Sequence, residues 1–245
     1  MLVLTRLSIA AALVAGVVAS ANALMIDDFS TGPDNLLIQN GTGLLAQSET
    51  GTSILGGQRD SILAVTSSPF LQQTSLQITG DNGSMPGAFY SSGIGDMGNV
   101  NFNYSGLHIQ GTQGPGLNAN VSGDGAFDIG VLASDTALTF TVTLTTYGMG
   151  GVDEVSTGTM TTSGPVTTPT TFSMNFSDMN VGAGSTMGFD SSNLSKVSVQ
   201  VAPANAGGDF ALASFSTAPV PEPASLAAVV IGVAGLLRRR KSRRV

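Results

Sequence analysis

Residues 24–218 are predicted to fold as an all-β, antiparallel β-sandwich of jelly-roll type. Apolar residues alternate with Thr, Ser or Asn through most of this region, which is the period-two pattern of half-buried strands. Turn sequences such as Asn82-Gly83 and Asp124-Gly125 separate the alternating segments. Helix-length amphipathic stretches are absent, so one antiparallel sandwich is the simplest fold.

Residues 1–23 have the pattern of a signal peptide and would form an N-terminal signal helix. Arg6 ends a short charged segment, an apolar stretch rich in Ala and Val follows, and Ala21 and Ala23 precede Leu24. Signal peptidase reads such small side chains at these two positions. We therefore expect export through the Sec translocon and cleavage between Ala23 and Leu24; an uncleaved anchor is the alternative.

About twelve strands are predicted between the two ends. The clearest covers residues 137–147, where Leu138, Phe140, Val142 and Leu144 would face one side and four Thr residues the other. The other predicted strands span residues 25–29, 35–39, 61–66, 75–79, 88–91, 99–104, 126–132, 152–157, 171–176, 195–201 and 209–215.

The charge distribution separates the middle region from the tail. Arg59 and Lys196 are the only basic residues within 24–218, against fifteen acidic ones, which gives this region a net charge of −13. A surface this acidic repels phosphate backbones, so nucleic-acid binding is excluded. The chain has no cysteine, which excludes disulfides, thiolate metal sites and cysteine catalysis.

The C-terminal residues 219–245 are predicted to carry a short transmembrane helix. The apolar run 224–237 would be roughly 21 Å long as a helix, against roughly 30 Å of hydrocarbon in a bilayer. Pro221 and Pro223 suit its first turn. The basic tail 238–245 would fix the topology by staying in the cytoplasm. Its basic residues are Arg238, Arg239, Arg240, Lys241, Arg243 and Arg244.

This C-terminal arrangement resembles the PEP-CTERM sorting signal of bacterial exported proteins. Val220, Pro221, Glu222 and Pro223 match its Pro-Glu-Pro element, and the apolar helix and terminal Arg cluster follow in the same order. The resemblance implies that a membrane-embedded exosortase-type protease recognises this element, removes the tail and passes the protein to the cell surface or matrix. A simple membrane-anchored stalk is the alternative.

A second resemblance concerns the two ends of the middle region. Residues 26–29, Ile-Asp-Asp-Phe, and 209–212, Asp-Phe-Ala-Leu, look like the first and last strands of jelly-roll, carbohydrate-binding-like sandwiches, which lie side by side. If so, Asp27, Asp28 and Asp209 are the best candidates for a Ca²⁺ site, because Ca²⁺ prefers oxygen ligands that include carboxylates. Turn-forming and solvated acids are the alternative interpretation of these residues.

Catalytic candidates are few. His108 is the only histidine, and no nucleophile-elbow pattern accompanies it, so a packed or strand-edge histidine is favoured over a catalytic base. Pairs of acids such as Asp153-Glu154 could serve glycoside hydrolysis only if their separation in space were suitable. With no Trp and three Tyr, the usual aromatic platform for sugars is poorly provided for.

Taken together, these patterns predict an exported protein without catalysis of its own or a required cofactor. It would be anchored transiently in the inner membrane and then reside at the cell surface or in the extracellular (biofilm) matrix in a structural or adhesive role. A carbohydrate-binding module, possibly Ca²⁺-dependent and directed at exopolysaccharide, is the first alternative. A secreted hydrolase is the second.

Overall fold

The computed structural model describes residues 23–80, 85–148 and 152–219, which contain fourteen strands. Residues 1–22 of the predicted signal segment 1–23, and the predicted C-terminal helix 224–237, lie outside these residues. The strands are β1 (Met25–Asp27), β2 (Asp34–Ile38), β3 (Gly43–Thr50), β4 (Gln58–Ser67), β5 (Thr74–Ile78), β6 (Ala88–Ser91), β7 (Met97–Tyr104), β8 (Asp124–Ser134), β9 (Leu138–Thr146), β10 (Glu154–Thr161), β11 (Thr170–Asn175), β12 (Asn180–Val181), β13 (Lys196–Pro203) and β14 (Phe210–Pro219). In the described ranges the helical elements are two 3-10 turns, and no helix could span a membrane.

The strands form two seven-stranded antiparallel sheets, which confirms the predicted sandwich. Sheet I has the order β11-β8-β14-β6-β5-β2, and β1 pairs with the second half of β14. Sheet II has the order β12-β10-β9-β13-β7-β4-β3. The predicted side-by-side position of the first and last strands is confirmed, since Met25 lies opposite Ser216. Residues 23–218 form one compact unit.

The period-two pattern produces the core because alternate side chains of each strand point between the sheets. In β9 the predicted inward residues Leu138, Phe140, Val142 and Leu144 are all buried. All twelve predicted strands overlap observed ones, and β6 has the predicted bounds. The missed strands are β3 and β12, both at the edges of sheet II.

An aromatic cluster fills the middle of the core around Phe215 of β14. Its ring centroid lies 5.3 Å from that of Phe29, 5.5 Å from Phe102, 6.4 Å from Tyr104 and 6.1 Å from Phe127. These rings come from both sheets and from the segment after β1, and all five residues are fully buried. The cluster therefore joins the N-terminal segment, the last strand and sheet II.

A buried charge cluster lies beside these rings. The Arg59 guanidinium on β4 donates to Asp27 Oδ2 at 2.8 Å and to Asp34 Oδ2 at 3.0 Å, with all three side chains fully buried. The Tyr104 hydroxyl donates to Asp27 Oδ2 at 2.9 Å, and the guanidinium lies over the Phe29 ring. Burial lowers the pKa of Arg59, but the charges of Asp27, Tyr104 and Asp34 raise it above its usual value. The cluster ties β1 and β2 to sheet II.

The buried Tyr104 predicts a loss of stability in alkali. Burial holds the pKa of Tyr104 well above its ordinary value, and the charge of Asp27 raises it further. The neutral phenol is therefore favoured in the folded state, whereas an unfolded Tyr ionises near pH 10. The stabilising contribution is complete below about pH 10 and is lost as the pH rises above that value.

Urea unfolding at increasing alkaline pH, with tyrosinate absorbance as a second readout, checks this expectation. Tyr104→Phe should weaken the alkaline loss relative to the wild type. An equal loss in both proteins would show that other groups cause it.

Candidate functional site

The outer face of sheet II carries rows of mostly uncharged, hydrogen-bonding side chains, which we call the polar ladder. Each row crosses the strands because directly paired residues point to the same side of a sheet. One row contains Ser48, Asp60, Asn103, Ser198, Thr143 and Thr157. The next contains Ala46, Ile62, Asn101, Gln200, Thr141 and Thr159. The ladder is thus made mostly of hydroxyl and amide groups on six neighbouring strands.

Cross-strand contacts hold the side chains of the ladder in place. Between β9 and β10, the Oγ1 atoms of Thr139 and Thr161 are 3.1 Å apart, and those of Thr143 and Thr157 are 3.3 Å apart. The Ser198 hydroxyl donates to Asn101 Oδ1 at 3.0 Å. Prior ordering of these groups lowers the conformational entropy that a ligand would have to remove on binding.

A groove of about 490 Å³ lies where the loop between β7 and β8 rises beside the ladder. Residues 110–114 of this loop form its wall, and Asn103 and Thr143 belong to its floor. Tyr147 also lines the groove. The combination of an apolar ring with flanking hydroxyl and amide groups is the kind of surface that a sugar can contact.

His108 anchors the wall of the groove to β4. Its Nε2 lies 2.8 Å from Asp60 Oδ2, its Nδ1 lies 2.6 Å from the Gly106 carbonyl oxygen, and its backbone N–H donates to Gln58 Oε1 at 2.8 Å. The His108 side chain is 6% exposed, so this histidine is packed, as favoured from the sequence, although it lies in a loop and not in a strand. Its geometry is that of a residue that positions the loop.

The ionisable side chains that line the groove are Asp60, Asp153, Lys196 and His108. Asp60 is already engaged, because its Oδ1 accepts hydrogen bonds from Ser48 Oγ at 2.5 Å and from Gln58 Nε2 at 3.0 Å. Lys196 makes no ion pair with any carboxylate among the described residues. Asp60 is therefore the one acidic member of the two ladder rows described above, and the other members of these rows are uncharged.

The three carboxylates predicted to bind Ca²⁺ do not come together. Asp27 lies opposite Phe215, six residues along the chain from Asp209, which directly precedes β14, so the register of the terminal strands keeps these two acids apart. Asp27 is committed to Arg59 and Tyr104, Asp28 accepts from Ser30 N–H, and Asp209 accepts from Ser92 N–H. Among the described residues no group of three His, Cys, Asp or Glu could hold a metal ion.

The remaining predicted site residues belong to the two ends of the chain. Ala23 and Leu24 are described just before β1, where Leu24 N–H donates to Thr217 Oγ1 at 2.9 Å. Ala21, the Val220–Pro223 element and the basic residues of 238–245 lie outside the described residues.

Sequence reasoning did not identify the polar ladder as a site. The Thr positions of residues 137–147 and the alternating Asn99, Asn101 and Asn103 contain this signal, but from the sequence they predict only strands. The strand order places these segments next to one another, and that order was not readable from the pattern.

Comparisons with known proteins give one sequence match and several fold matches. Residues 219–241 match the family described as the PEP-CTERM protein-sorting motif. No curated protein matches this chain. A family 11 carbohydrate-binding module from Clostridium thermocellum, in complex with a β-1,3-1,4-mixed-linked tetrasaccharide, is similar in structure with 14% identity and a TM-score of 0.41. That match covers 83% of this chain and 99% of the module.

Two further structures have comparable similarity. One is the family 11 module of the cellulosomal cellulase Lic26A-Cel5E of the same organism, with 12% identity, a TM-score of 0.40 and coverage of 82% and 97%. The other is a solution structure of CtCBM11, with 14% identity, a TM-score of 0.44 and coverage of 84% and 99%. The sequence match confirms the predicted C-terminal signal: the chain carries a PEP-CTERM sorting motif, which indicates export and association with the cell surface.

Proposed function

We propose that this protein is an exported surface protein whose β-sandwich binds an extended, uncharged polysaccharide chain across the outer face of sheet II. The polar ladder is the observation that carries this proposal. It presents hydroxyl and amide groups in rows over six neighbouring strands, and loop 110–114 and Tyr147 border it on one side. The role is adhesive and requires no catalysis.

The spacing of the ladder suits a polymer. Neighbouring strands lie about 4.8 Å apart, so a chain lying across them meets a new pair of polar side chains at each step. This step is close to the length of one pyranose in an extended glycan. Sugar hydroxyls both donate and accept hydrogen bonds, and Asn, Gln, Ser and Thr side chains offer both functions.

The net charge of the middle region favours a neutral polysaccharide over an anionic one. The middle region carries a net charge of −13, and Lys196 is the one basic side chain of that region that is not buried in the core. A polyanion such as a polyuronate would be repelled at long range. We therefore assign a neutral polysaccharide to the ladder.

The sorting motif supplies the setting for this activity. In the proposed route, signal peptidase releases the N-terminus near Leu24, and residues 224–237 hold the protein in the inner membrane for a time. An exosortase-type protease then acts at the Pro221-Glu222-Pro223 element, and the protein reaches the cell surface or the biofilm matrix. There it would link the surface to exopolysaccharide.

Removing one amide from each of two adjacent ladder rows should weaken polysaccharide binding. The variant is Asn103→Ala/Gln200→Ala. Each lost hydrogen bond costs about 0.5–1.5 kcal/mol, so the affinity should fall about tenfold. Affinity electrophoresis of the purified protein in gels containing soluble β-glucan, xylan or poly-N-acetylglucosamine measures the effect, with polygalacturonate as the anionic polymer.

A composition-matched control exists on the opposite face of the molecule. Asn35 and Gln77 are directly paired on β2 and β5 and are exposed on the outer side of sheet I. Asn35→Ala/Gln77→Ala should leave binding unchanged. Absence of retardation by every neutral polymer, or equal losses in both double variants, would contradict the proposal.

A further inference from the structure

Three buried polar atoms without partners lie at the end of the sandwich where β7 begins. Among the described residues, the buried side-chain atoms that make no hydrogen bond are Arg59 Nε, Ser68 Oγ, Tyr90 Oη and Asp96 Oδ1. Arg59 belongs to the charge cluster described above. Buried polar groups are nearly always satisfied by protein, water or an ion, so three orphan oxygens in one region call for an explanation.

The chain brings the three residues to the same end of the sandwich. Ser67 pairs with Met97, Ser68 directly follows β4, and Asp96 directly precedes β7. Asp96 stands two residues before Gly98, so in an extended chain both would face the same side. Tyr90 Oη lies 2.8 Å from the position that a Cβ on Gly98 would occupy. The Tyr90 ring is held there by stacking on Phe210, with centroids 4.8 Å apart.

Asp96 is the charged member of this group, and it lacks a counter-charge. Asp96 is 1% exposed, and its Oδ2 accepts one hydrogen bond, from Thr74 Oγ1 at 2.8 Å. The ion pairs of the described residues involve Asp27, Asp34 and Asp60 and leave Asp96 without one. Burial of a carboxylate without a partner is costly, so compensation is expected.

Tyr90 gives an independent indication that these groups are close. Burial raises the pKa of Tyr90, the nearby Ser92 side chain lowers it, and the negative charges of Asp96 and Asp209 raise it, with a net shift upward. The phenol therefore stays neutral, and its oxygen keeps lone pairs available for a cation. Thr74 Oγ1 adds a further hydroxyl beside the carboxylate.

We propose that Asp96 Oδ1, Ser68 Oγ and Tyr90 Oη bind a small hard cation, Ca²⁺ or Na⁺, inside this end of the sandwich. The donor set consists only of oxygen, which is the preference of such ions, and water would complete the coordination. A cation here would neutralise Asp96. It would also stabilise two hydrogen bonds, because the Asp96 carbonyl oxygen accepts from Ser92 Oγ and from Gly207 N–H.

Terbium luminescence tests the site directly, since Tb³⁺ occupies Ca²⁺ sites and is excited through a nearby aromatic ring. The chain has no Trp, so Tyr is the effective sensitiser. We expect Tyr-excited Tb³⁺ emission from the purified protein that Ca²⁺ displaces. Tyr90→Phe, Ser68→Ala and Asp96→Asn should each lower the emission severalfold. Tyr147→Phe is the matched control for Tyr90→Phe. Asp128→Asn is the matched control for Asp96→Asn, because Asp128 also accepts a hydrogen bond from a hydroxyl group, that of Ser173.

Thermal unfolding separates the two cations. Saturating Ca²⁺ or Na⁺, compared with choline at equal ionic strength, should raise Tm by about 4 °C in the wild type and in Asp128→Asn. The rise should be absent in Asp96→Asn; if that variant does not fold, Ser68→Ala takes its place. A response to Na⁺ alone assigns Na⁺. Two outcomes would overturn the proposal. One is the absence of Tb³⁺ emission together with an equal Tm in all three salts, and the other is emission that Asp96→Asn and Tyr90→Phe leave unchanged. An ordered water would then be the partner of these oxygens.

Discussion

Replacing Arg59 by methionine is expected to lower the free energy of unfolding by about 3–5 kcal/mol, because it leaves Asp27 and Asp34 buried without a counter-charge. Both carboxylates are fully buried, and each loses a hydrogen bond of 2.8–3.0 Å. The guanidinium also donates to the Thr31 carbonyl oxygen, which would lose this partner. Equilibrium unfolding in urea, followed by circular dichroism, measures the difference.

Lys196 provides the matched control, because it is the other basic residue of the middle region. Lys196→Met removes the same charge from a half-buried position without an ion pair and should change stability by less than about 0.5 kcal/mol. Similar unfolding midpoints for the wild type and Arg59→Met would contradict a stabilising role for the cluster. A triple variant that also carries Asp27→Asn and Asp34→Asn should recover part of the loss, since it removes the uncompensated charges.

Phe215→Ala is expected to cost about 3–5 kcal/mol, the usual range for removing a buried Phe side chain. Phe215 has no exposed surface, and its ring contacts rings from both sheets and from the segment that follows β1. The cavity would therefore lie at the centre of the core, where the surrounding strands cannot collapse into it. Urea unfolding again provides the measurement.

Phe70→Ala is the control for Phe215→Ala, since 63% of Phe70 is exposed. We expect a change of less than about 1 kcal/mol there. Equal losses in the two variants would contradict the prediction, because an exposed ring would then contribute as much as the ring at the centre of the core.

The strands were predictable where one face is buried. The alternation in β9 survives in the structure because Leu138, Phe140 and Val142 pack into the core while Thr side chains point outward. β3 was missed because it lies at the edge of sheet II and most of its residues are exposed. Since neither face of β3 is buried, its sequence shows no alternation of apolar and polar residues. β12, with only two residues, is too short to give a pattern.

The site was less predictable because it depends on strand order. The rows of the polar ladder join residues such as Asp60, Asn103 and Thr143, which are far apart in the sequence and meet only across β4, β7, β13 and β9. Arg59 was noted only as one of two basic residues, although the structure places it in the core. The predicted Ca²⁺ ligands Asp27 and Asp209 show the same limit of the sequence. Their strands were correctly expected to be neighbours, but the register, which the sequence does not reveal, sets Asp27 opposite Phe215.

The position of β14 has a mechanical consequence. This strand lies inside sheet I, with β8 on one side and β6 and then β1 on the other, and its last residue, Pro219, is the first residue of the sorting-motif match. A pull on the C-terminal end would load β14 along its length, so neighbouring hydrogen bonds would share the force in shear and would not open one at a time. Under the proposed function, a glycan held on sheet II would pass that load to β14 through the rings around Phe215, and the core would carry the tension between the two sheets.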